Sequence, residues 1–199
     1  MMPSPAVFLD RDGTLLHEVG YLSRREDVRW FSSSVDAIRL LNRASFRVFV
    51  LTNQGGVGLG MFPESFVEQT HRELDAHLKS SGARVDGWYF CPHHPRARVA
   101  SLAVDCDCRK PKPGLIRRAQ QDFALDLPAS FVVGDKQVDV DLAAAIGAKG
   151  VLVETGHGAA ELARQGGAMP GAAHVAPDLM EATAWILRES GHPRREEGR

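Results

Sequence analysis

Several features are scarce in this sequence, and each scarcity excludes a class of protein. Among 199 residues there are three cysteines, and no apolar run approaches the roughly 18 residues that a membrane-spanning helix needs. Positive and negative charges are nearly equal in number: there are 24 Lys and Arg and 25 Asp and Glu, so the formal net charge is −1. The basic surplus typical of proteins that bind nucleic acid or anionic membranes is missing, so we expect neither partner.

The N-terminus begins Met-Met-Pro-Ser-Pro, without the basic and apolar segments of a secretion signal, so we expect a cytoplasmic protein. Apolar residues make up 44% and charged residues 25%, which is ordinary for a globular chain. A chain of this length buries about 70% of its unfolded surface in one core. We predict one domain over residues 1–190, a polar tail over 191–199 and a monomer.

Short β-rich runs alternate with amphipathic stretches, a pattern typical of α/β proteins. It predicts a Rossmann-like open sheet of mostly parallel strands with helices on both faces. Strands are expected at 6–9, 47–51, 85–90, 131–133, 151–153 and 173–176. Helices are expected at 35–44, 63–82, 115–123, 138–146 and 179–188. Residues 55–60 form a glycine-rich loop, and 92–113 form a loop too long for a plain connection.

Two carboxylates follow the first predicted strand. Asp10 and Asp12 are two residues apart, so in an extended backbone they point to the same side. They lie at the carboxyl end of a parallel strand, where ligands bind in open α/β sheets. Two close carboxylates repel each other unless a cation or a shared proton compensates, and oxygen ligands favour Mg²⁺. An isolated Asp-x-Asp would more often be a solvated turn.

Four segments in order resemble the motifs of the haloacid dehalogenase superfamily of phosphatases. They are Asp10-Arg11-Asp12-Gly13-Thr14, Leu51-Thr52-Asn53, Arg109-Lys110-Pro111-Lys112-Pro113 and Gly134-Asp135-Lys136. Each stands at a predicted strand end or helix start, and together they span about three quarters of the chain. The resemblance implies the superfamily's fold. No additional helical block follows the first motif, so we expect no large cap domain.

The resemblance also implies roles for the motif residues. Asp10 attacks phosphorus to form an aspartyl-phosphate, and Asp12 first protonates the leaving oxygen and then takes a proton from water. Asp10, the Asp12 carbonyl and Asp135 hold Mg²⁺. Thr52 and Lys110 hold the transferred phosphoryl group.

Two further residues of the fourth motif keep alternative interpretations. Lys136 either contacts the substrate phosphate or only neutralises the neighbouring Asp135. Asp139 either orients the metal ligands or only begins the next helix.

All three cysteines lie in the long loop, in two chelating pairs. Cys91-Pro92-His93 and Cys106-Asp107-Cys108 each leave one residue between ligands. Three thiolates and one imidazole make a closed tetrahedral shell suited to structural Zn²⁺. His94 competes with His93, which we prefer because Cys-x-His mirrors Cys-x-Cys. Free buried thiols and a redox pair of Cys106 with Cys108 are the alternatives.

Two branches of the superfamily carry such a zinc loop. The long spacer between the ligand pairs resembles the spacer in the branch that acts on heptose 1,7-bisphosphate. Histidinol phosphate, the substrate of the other branch, carries an amine that Glu18 could bind. The likeness to the heptose branch implies that Arg109 recognises a second phosphate and that Lys110 serves the reacting one. It also implies that the phosphorylated sugar is lined by Glu18, Val19, Gly20, Tyr21, Thr52, Asn53, Gln54 and Gly55.

Overall fold

The computed structural model describes residues 3–191, and within them six strands form one sheet in which every pairing is parallel. The strands are β1 (Ser4–Leu9), β2 (Arg47–Asn53), β3 (Gly87–Cys91), β4 (Leu125–Gly134), β5 (Lys149–Val153) and β6 (Ala172–Ala176). Their order across the sheet is β3-β2-β1-β4-β5-β6. The predicted open parallel sheet is therefore confirmed, with β6 as the expected edge strand.

Helices cover both faces of this sheet, as the sequence predicts. They are α1 (Ser34–Arg43), α2 (Gly55–Gly58), α3 (Glu64–Ser80), α4 (Gly114–Asp122), α5 (Gln137–Ala145), α6 (Gly158–Arg164) and α7 (Leu179–Glu189). Strand side chains alternate between the faces, so Val7 and Leu9 pack with α1, α3 and α7, whereas Ala6 and Phe8 pack with α4 and α5. Strand β1 is thus buried on both faces, which explains its uninterrupted apolar sequence.

Three local predictions differ from the structure. Residues 55–58 of the predicted glycine-rich loop form the single turn α2, in which Leu59 N–H donates to Gly55 O at 3.0 Å. Helix α6 has no counterpart in the prediction, because it is short and Gly158 is its one buried residue. Strand β4 begins six residues earlier than predicted, and its Ser130 hydroxyl accepts the Ala6 N–H at 2.9 Å where the β1–β4 register shifts.

The topology brings the candidate site residues to one edge. Asp10 directly follows β1, Asn53 ends β2 and Gly134 ends β4, so three motifs meet at the carboxyl ends of adjacent strands. The chain reverses its direction of progress across the sheet between β1 and β4, and ligands bind at such a switch point. No helix in residues 3–191 is long and apolar enough to span a membrane. Of the predicted tail 191–199, all but Gly191 lies outside the described residues.

Candidate active site

The turn after β1 is built tightly around Asp10. Its N–H donates to Val133 O at 2.9 Å, which ties the residue to β4, and the side chain is largely buried. Gly13 has φ +90°, and a Cβ there would collide with the carboxylate of Asp135. Thr155 Oγ1 donates to Gly13 O at 2.6 Å. The glycine therefore lets the turn approach a second carboxylate more closely than a residue with a side chain could.

Lys110 is the cation at the base of the site. Its Nζ lies 2.8 Å from Asp10 Oδ1 and 2.6 Å from Asp139 Oδ1, and it also donates to Leu51 O at 2.9 Å. Burial alone would lower the pKa of Lys110, but the charges of Asp10 and Asp139 raise it above its ordinary value. Lys110 therefore stays charged, and Asp139 is one of its two acidic partners as well as a helix residue.

Asp10, Asp135 and Asp139 form a carboxylate cluster that fits a divalent cation. Each offers an oxygen within 4.8 Å of the others. Burial, with the charge of Asp10, raises the pKa of Asp135 to about 6, and burial raises that of Asp139. Asp135 Oδ1 and Asp139 Oδ2 are buried without a hydrogen bond, although Lys136 Nζ lies 3.3 Å from the former. Unbonded carboxylate oxygens in such a group are the hard ligands that Mg²⁺ takes.

Asp12 is held on two sides. Arg11 donates from Nε to Asp12 Oδ1 at 3.0 Å and from Nη2 to Oδ2 at 2.8 Å, while Gln54 Nε2 donates to Oδ2 at 2.8 Å. The same Gln54 nitrogen donates to Thr52 Oγ1 at 2.8 Å. Burial alone would raise the pKa of Asp12, but Arg11 and these hydrogen bonds keep it below its ordinary value. The second motif is thus linked to the first through one amide.

An open cavity of about 100 Å³ lies above these groups. Ten of the predicted site residues line it, namely Asp10, Asp12, Glu18, Gly20, Tyr21, Thr52, Asn53, Gln54, Lys110 and Lys136. Leu22, Val138 and Asp139 complete the lining. The structure therefore brings most of the predicted catalytic and substrate residues to one cavity.

Apart from the zinc-ligand candidates, four predicted residues do not line that cavity. Asp135 is fully buried, and Val19 points largely into solvent, with 46% of its surface exposed. Arg109 Nη1 donates to His93 O at 3.0 Å and lies beside Gly55, where a Cβ would stand 3.4 Å from it. Arg109 and Gly55 thus belong to the contact between the long loop and α2.

Glu18 is a paired carboxylate at the mouth of the cavity. Its Oε2 lies 3.3 Å from both Lys136 Nζ and His157 Nε2, and its Oε1 accepts the Gly20 N–H at 2.6 Å. Lys136 also approaches Asp135, so this lysine bridges two carboxylates. Both interpretations of Lys136 remain compatible with its place, since it lines the cavity and neutralises Asp135.

The four zinc-ligand candidates come together. The ligand atoms of Cys91, His93, Cys106 and Cys108 all lie within 4.8 Å of one another. His93 Nδ1 lies 3.5 Å from Cys91 Sγ and 3.2 Å from Cys108 Sγ, and the Cys91–Cys106 sulfur distance is 3.5 Å. A tetrahedral zinc with Zn–S bonds near 2.3 Å separates its sulfurs by about 3.8 Å. His94 is outside this group, and its Nδ1 accepts the Arg96 N–H at 3.0 Å.

The site also contains Arg11, His71 and His157, for which the sequence motifs predict no role, and Asp139, for which they leave two. Arg11 lies inside the first motif, and its charge next to an apolar strand was the available signal. His71 Nε2 lies 3.2 Å from Arg11 Nη1 across 60 residues, and His157 N–H donates to Asp135 Oδ2 at 2.8 Å. Neither histidine lies in a motif, so spacing alone could not place it in the site.

Known proteins resemble this chain over most of its length. A hydrolase-like family model of the HAD type matches residues 107–182. The D-glycero-beta-D-manno-heptose-1,7-bisphosphate 7-phosphatase of Yersinia pestis is 43% identical over 76% of this chain and 81% of its own. The Escherichia coli O6:H1 protein of that name is 41% identical over 92% of this chain and 88% of its own.

A solved structure shares the fold. The D,D-heptose 1,7-bisphosphate phosphatase of B. bronchiseptica, complexed with magnesium and phosphate, matches with a TM-score of 0.81 and 31% identity. The match covers 93% of this chain and 99% of that one. The turn after β1, the Lys110 ion pairs and these similarities agree with the four motifs. The chain therefore belongs to the haloacid dehalogenase-like phosphatase family.

Proposed function

We propose that this chain is a Mg²⁺-dependent phosphatase that removes the 7-phosphate of D-glycero-D-manno-heptose 1,7-bisphosphate, as a cytoplasmic monomer that supplies nucleotide-activated heptose biosynthesis. Asp10 lies at the base of the cavity, with Lys110 at 2.8 Å and Asp12 beside it. This arrangement is the observation that supports phosphate ester hydrolysis as the reaction. The name shared by relatives about 40% identical supports the substrate.

The transferred phosphoryl group binds among donors already fixed in place. Lys110 is held by two carboxylates and a carbonyl, and the Thr52 hydroxyl is fixed by Gln54. Donors that need not reorganise stabilise charge developing on the phosphoryl oxygens. These two side chains therefore orient the phosphorus toward Asp10.

The reaction has two steps on the protein's own carboxylates. An oxygen of Asp10 forms a bond to phosphorus while the bond from phosphorus to the sugar oxygen breaks. Asp12 gives that oxygen a proton from its acid form, which it must reach by taking up a proton first, because Arg11 and Gln54 favour the carboxylate. Water then attacks the aspartyl-phosphate, Asp12 takes its proton, and inorganic phosphate leaves with Asp10 restored. Splitting the hydrolysis lets one carboxyl serve as acid and then as base.

A bound Mg²⁺ would reduce the repulsion between the Asp10 carboxylate and the phosphate it attacks. Asp10, the Asp12 carbonyl and Asp135 are the proposed ligands. The unbonded Oδ1 of Asp135 supports a cation at this place. Asp139 then serves chiefly to hold Lys110.

The pairing of Glu18 favours the sugar bisphosphate over histidinol phosphate. A substrate amine would have to compete with Lys136, His157 and the Gly20 N–H for the Glu18 carboxylate. Arg109, beside the cavity, offers the bidentate fork that suits a second phosphate. We propose that Arg109 binds the unreacted phosphate.

We further propose that Cys91, His93, Cys106 and Cys108 bind one structural Zn²⁺. Cys108 precedes Arg109 and Lys110 directly, so the metal would hold the long loop where both cations are placed. Ordering such a loop costs about 1–2 kcal/mol of backbone entropy per residue, which the binding of a metal would offset.

The test compares Asp10→Asn with Asp36→Asn, an exposed carboxylate on α1, by kcat/KM and circular dichroism in Mg²⁺. The substrates are both anomers of heptose 1,7-bisphosphate, fructose 1,6-bisphosphate and histidinol phosphate. We expect the wild type and Asp36→Asn to prefer heptose 1,7-bisphosphate, and Asp10→Asn to fold without turnover. A preference for histidinol phosphate contradicts the substrate, and substantial activity of Asp10→Asn contradicts the nucleophile.

A further inference from the structure

Arg11 is a buried cation beneath the site. It is the bulkiest fully buried side chain among residues 3–191, with 1% of its surface exposed. A charge removed from water is costly unless it is paired and its donors are used. Arg11 meets this condition with Asp12 on one side, through Nε and Nη2, and His71 on the other, through Nη1.

His71 accepts a hydrogen bond from Arg11. Guanidinium only donates, so the contact of 3.2 Å requires the lone pair of His71 Nε2. Burial, and then the charge of Arg11, lowers the pKa of His71 to about 3, which keeps the imidazole neutral. Its ring packs on Trp88 at 5.1 Å and edge-on to Phe90 at 5.7 Å, so β3 fixes where α3 presents it.

Arg11 does not line the cavity, whereas Asp12 does. The arginine therefore cannot touch a substrate there and can act only through Asp12. Two donors from one planar group fix the plane of a carboxylate, which a single ammonium cannot do.

We infer that Arg11, braced by His71, is a positioning residue that aims the Asp12 carboxyl at the leaving oxygen. The inference rests on the proposed function, since it assigns Asp12 the proton transfer. A simpler view is that Arg11 only stabilises the turn after β1. The two views differ in which substrates lose kcat/KM when Arg11 is replaced.

The test measures kcat/KM for heptose 1,7-bisphosphate and for p-nitrophenyl phosphate. This parameter covers the steps through leaving-group release, before the aspartyl-phosphate is hydrolysed. A sugar alkoxide needs a proton to leave and p-nitrophenolate does not. For Arg11→Lys we expect kcat/KM to fall by about 10²-fold with the sugar phosphate, the usual size of a general-acid contribution, and by less than about 3-fold with p-nitrophenyl phosphate.

Variants of His71 keep the test decisive if Arg11→Lys does not fold. His71→Phe loses the acceptor and should show the same selective loss, whereas His71→Gln, which offers an amide oxygen, should restore most of it. His77→Phe is the matched control, because His77 also lies on α3 and packs on a tryptophan, Trp30 at 5.2 Å. Equal losses on both substrates would overturn the inference. A wild type inactive on both would instead contradict the proposed function.

Discussion

The side-chain amide of Asn53 forms two hydrogen bonds with the main chain of Lys110. Nδ2 donates to Lys110 O at 3.2 Å, and Oδ1 accepts the Lys110 N–H at 3.0 Å. Asn53 ends β2, so this pair attaches the long loop to the sheet at Lys110, the residue proposed to hold the phosphoryl group. The resemblance to known phosphatases implies that Asn53 binds substrate, and Asn53 lines the cavity while its amide also holds Lys110.

Replacing Asn53 with alanine should lower kcat strongly and lower the free energy of unfolding only modestly. Losing two hydrogen bonds costs about 1–3 kcal/mol, and a misplacement of Lys110 by about 1 Å can lower kcat by roughly 10²-fold. Asn42→Ala is the control, because Asn42 makes the same pair with the main chain of Arg84, at 3.0 and 2.8 Å, away from the cavity. We expect similar losses of stability by urea unfolding, with the loss of kcat confined to Asn53→Ala.

The zinc proposal predicts one Zn²⁺ per chain in the purified protein. His93→Ala should lower the zinc content, measured by mass spectrometry of the digested protein, and the unfolding temperature. His94→Ala should change neither, because His94 is outside the thiol cluster. If His93→Ala retains a full equivalent of zinc, or if the wild type contains none after metal-replete expression, the assignment is wrong.

The turn after β1 should tolerate no side chain at Gly13. Gly13→Ala would place a methyl group against the Asp135 carboxylate at a φ of +90°. We expect a loss of kcat of about 10²-fold or more, as the carboxylates shift. Gly147→Ala has the same type of backbone, with φ +72° and open space around it, so it should cost about 1–2 kcal/mol without affecting kcat. Equal kcat for the two variants would refute the steric argument.

Burial of neutral His71 predicts how stability depends on acid. Its pKa is about 3 in the fold against an ordinary value of 6.5, so below 6.5 the unfolded chain binds a proton that the folded chain does not. The stabilisation is therefore complete above pH 6.5 and is lost as the pH falls toward 3. One proton corresponds to a slope of about 1.4 kcal/mol per pH unit.

The measurement is urea unfolding of the wild type and His71→Gln between pH 4 and pH 8. We expect the variant to have the shallower slope below pH 6.5, because carboxylates contribute equally to both proteins and cancel in the difference. Identical slopes would mean that His71 is accessible to protons in the folded state.

Much of the site follows from local sequence. Alternation along an extended strand places Asp10 and Asp12 on one side, and an apolar run before them predicts a strand buried on both faces. The zinc-ligand set follows in the same way, since two pairs with one intervening residue can chelate whatever the loop between them does. Within each of these groups the inference depends on neighbours only a few residues apart. The structure brings Cys91, His93, Cys106 and Cys108 together, and zinc binding stays a prediction.

Contacts between distant segments were decided by the tertiary structure. Nothing in the spacing of Arg11 and His71 links them across 60 residues, and the link arises only because α3 packs on the face of the sheet formed by β1 and β2. The ion pair of Lys110 with Asp139, 29 residues later in the chain, likewise depends on the tertiary structure. The sequence by itself determined which residue types stand at strand ends and therefore the chemistry available. The packing of helices on the sheet decided which charges are buried together, because burial is what makes a pairing obligatory.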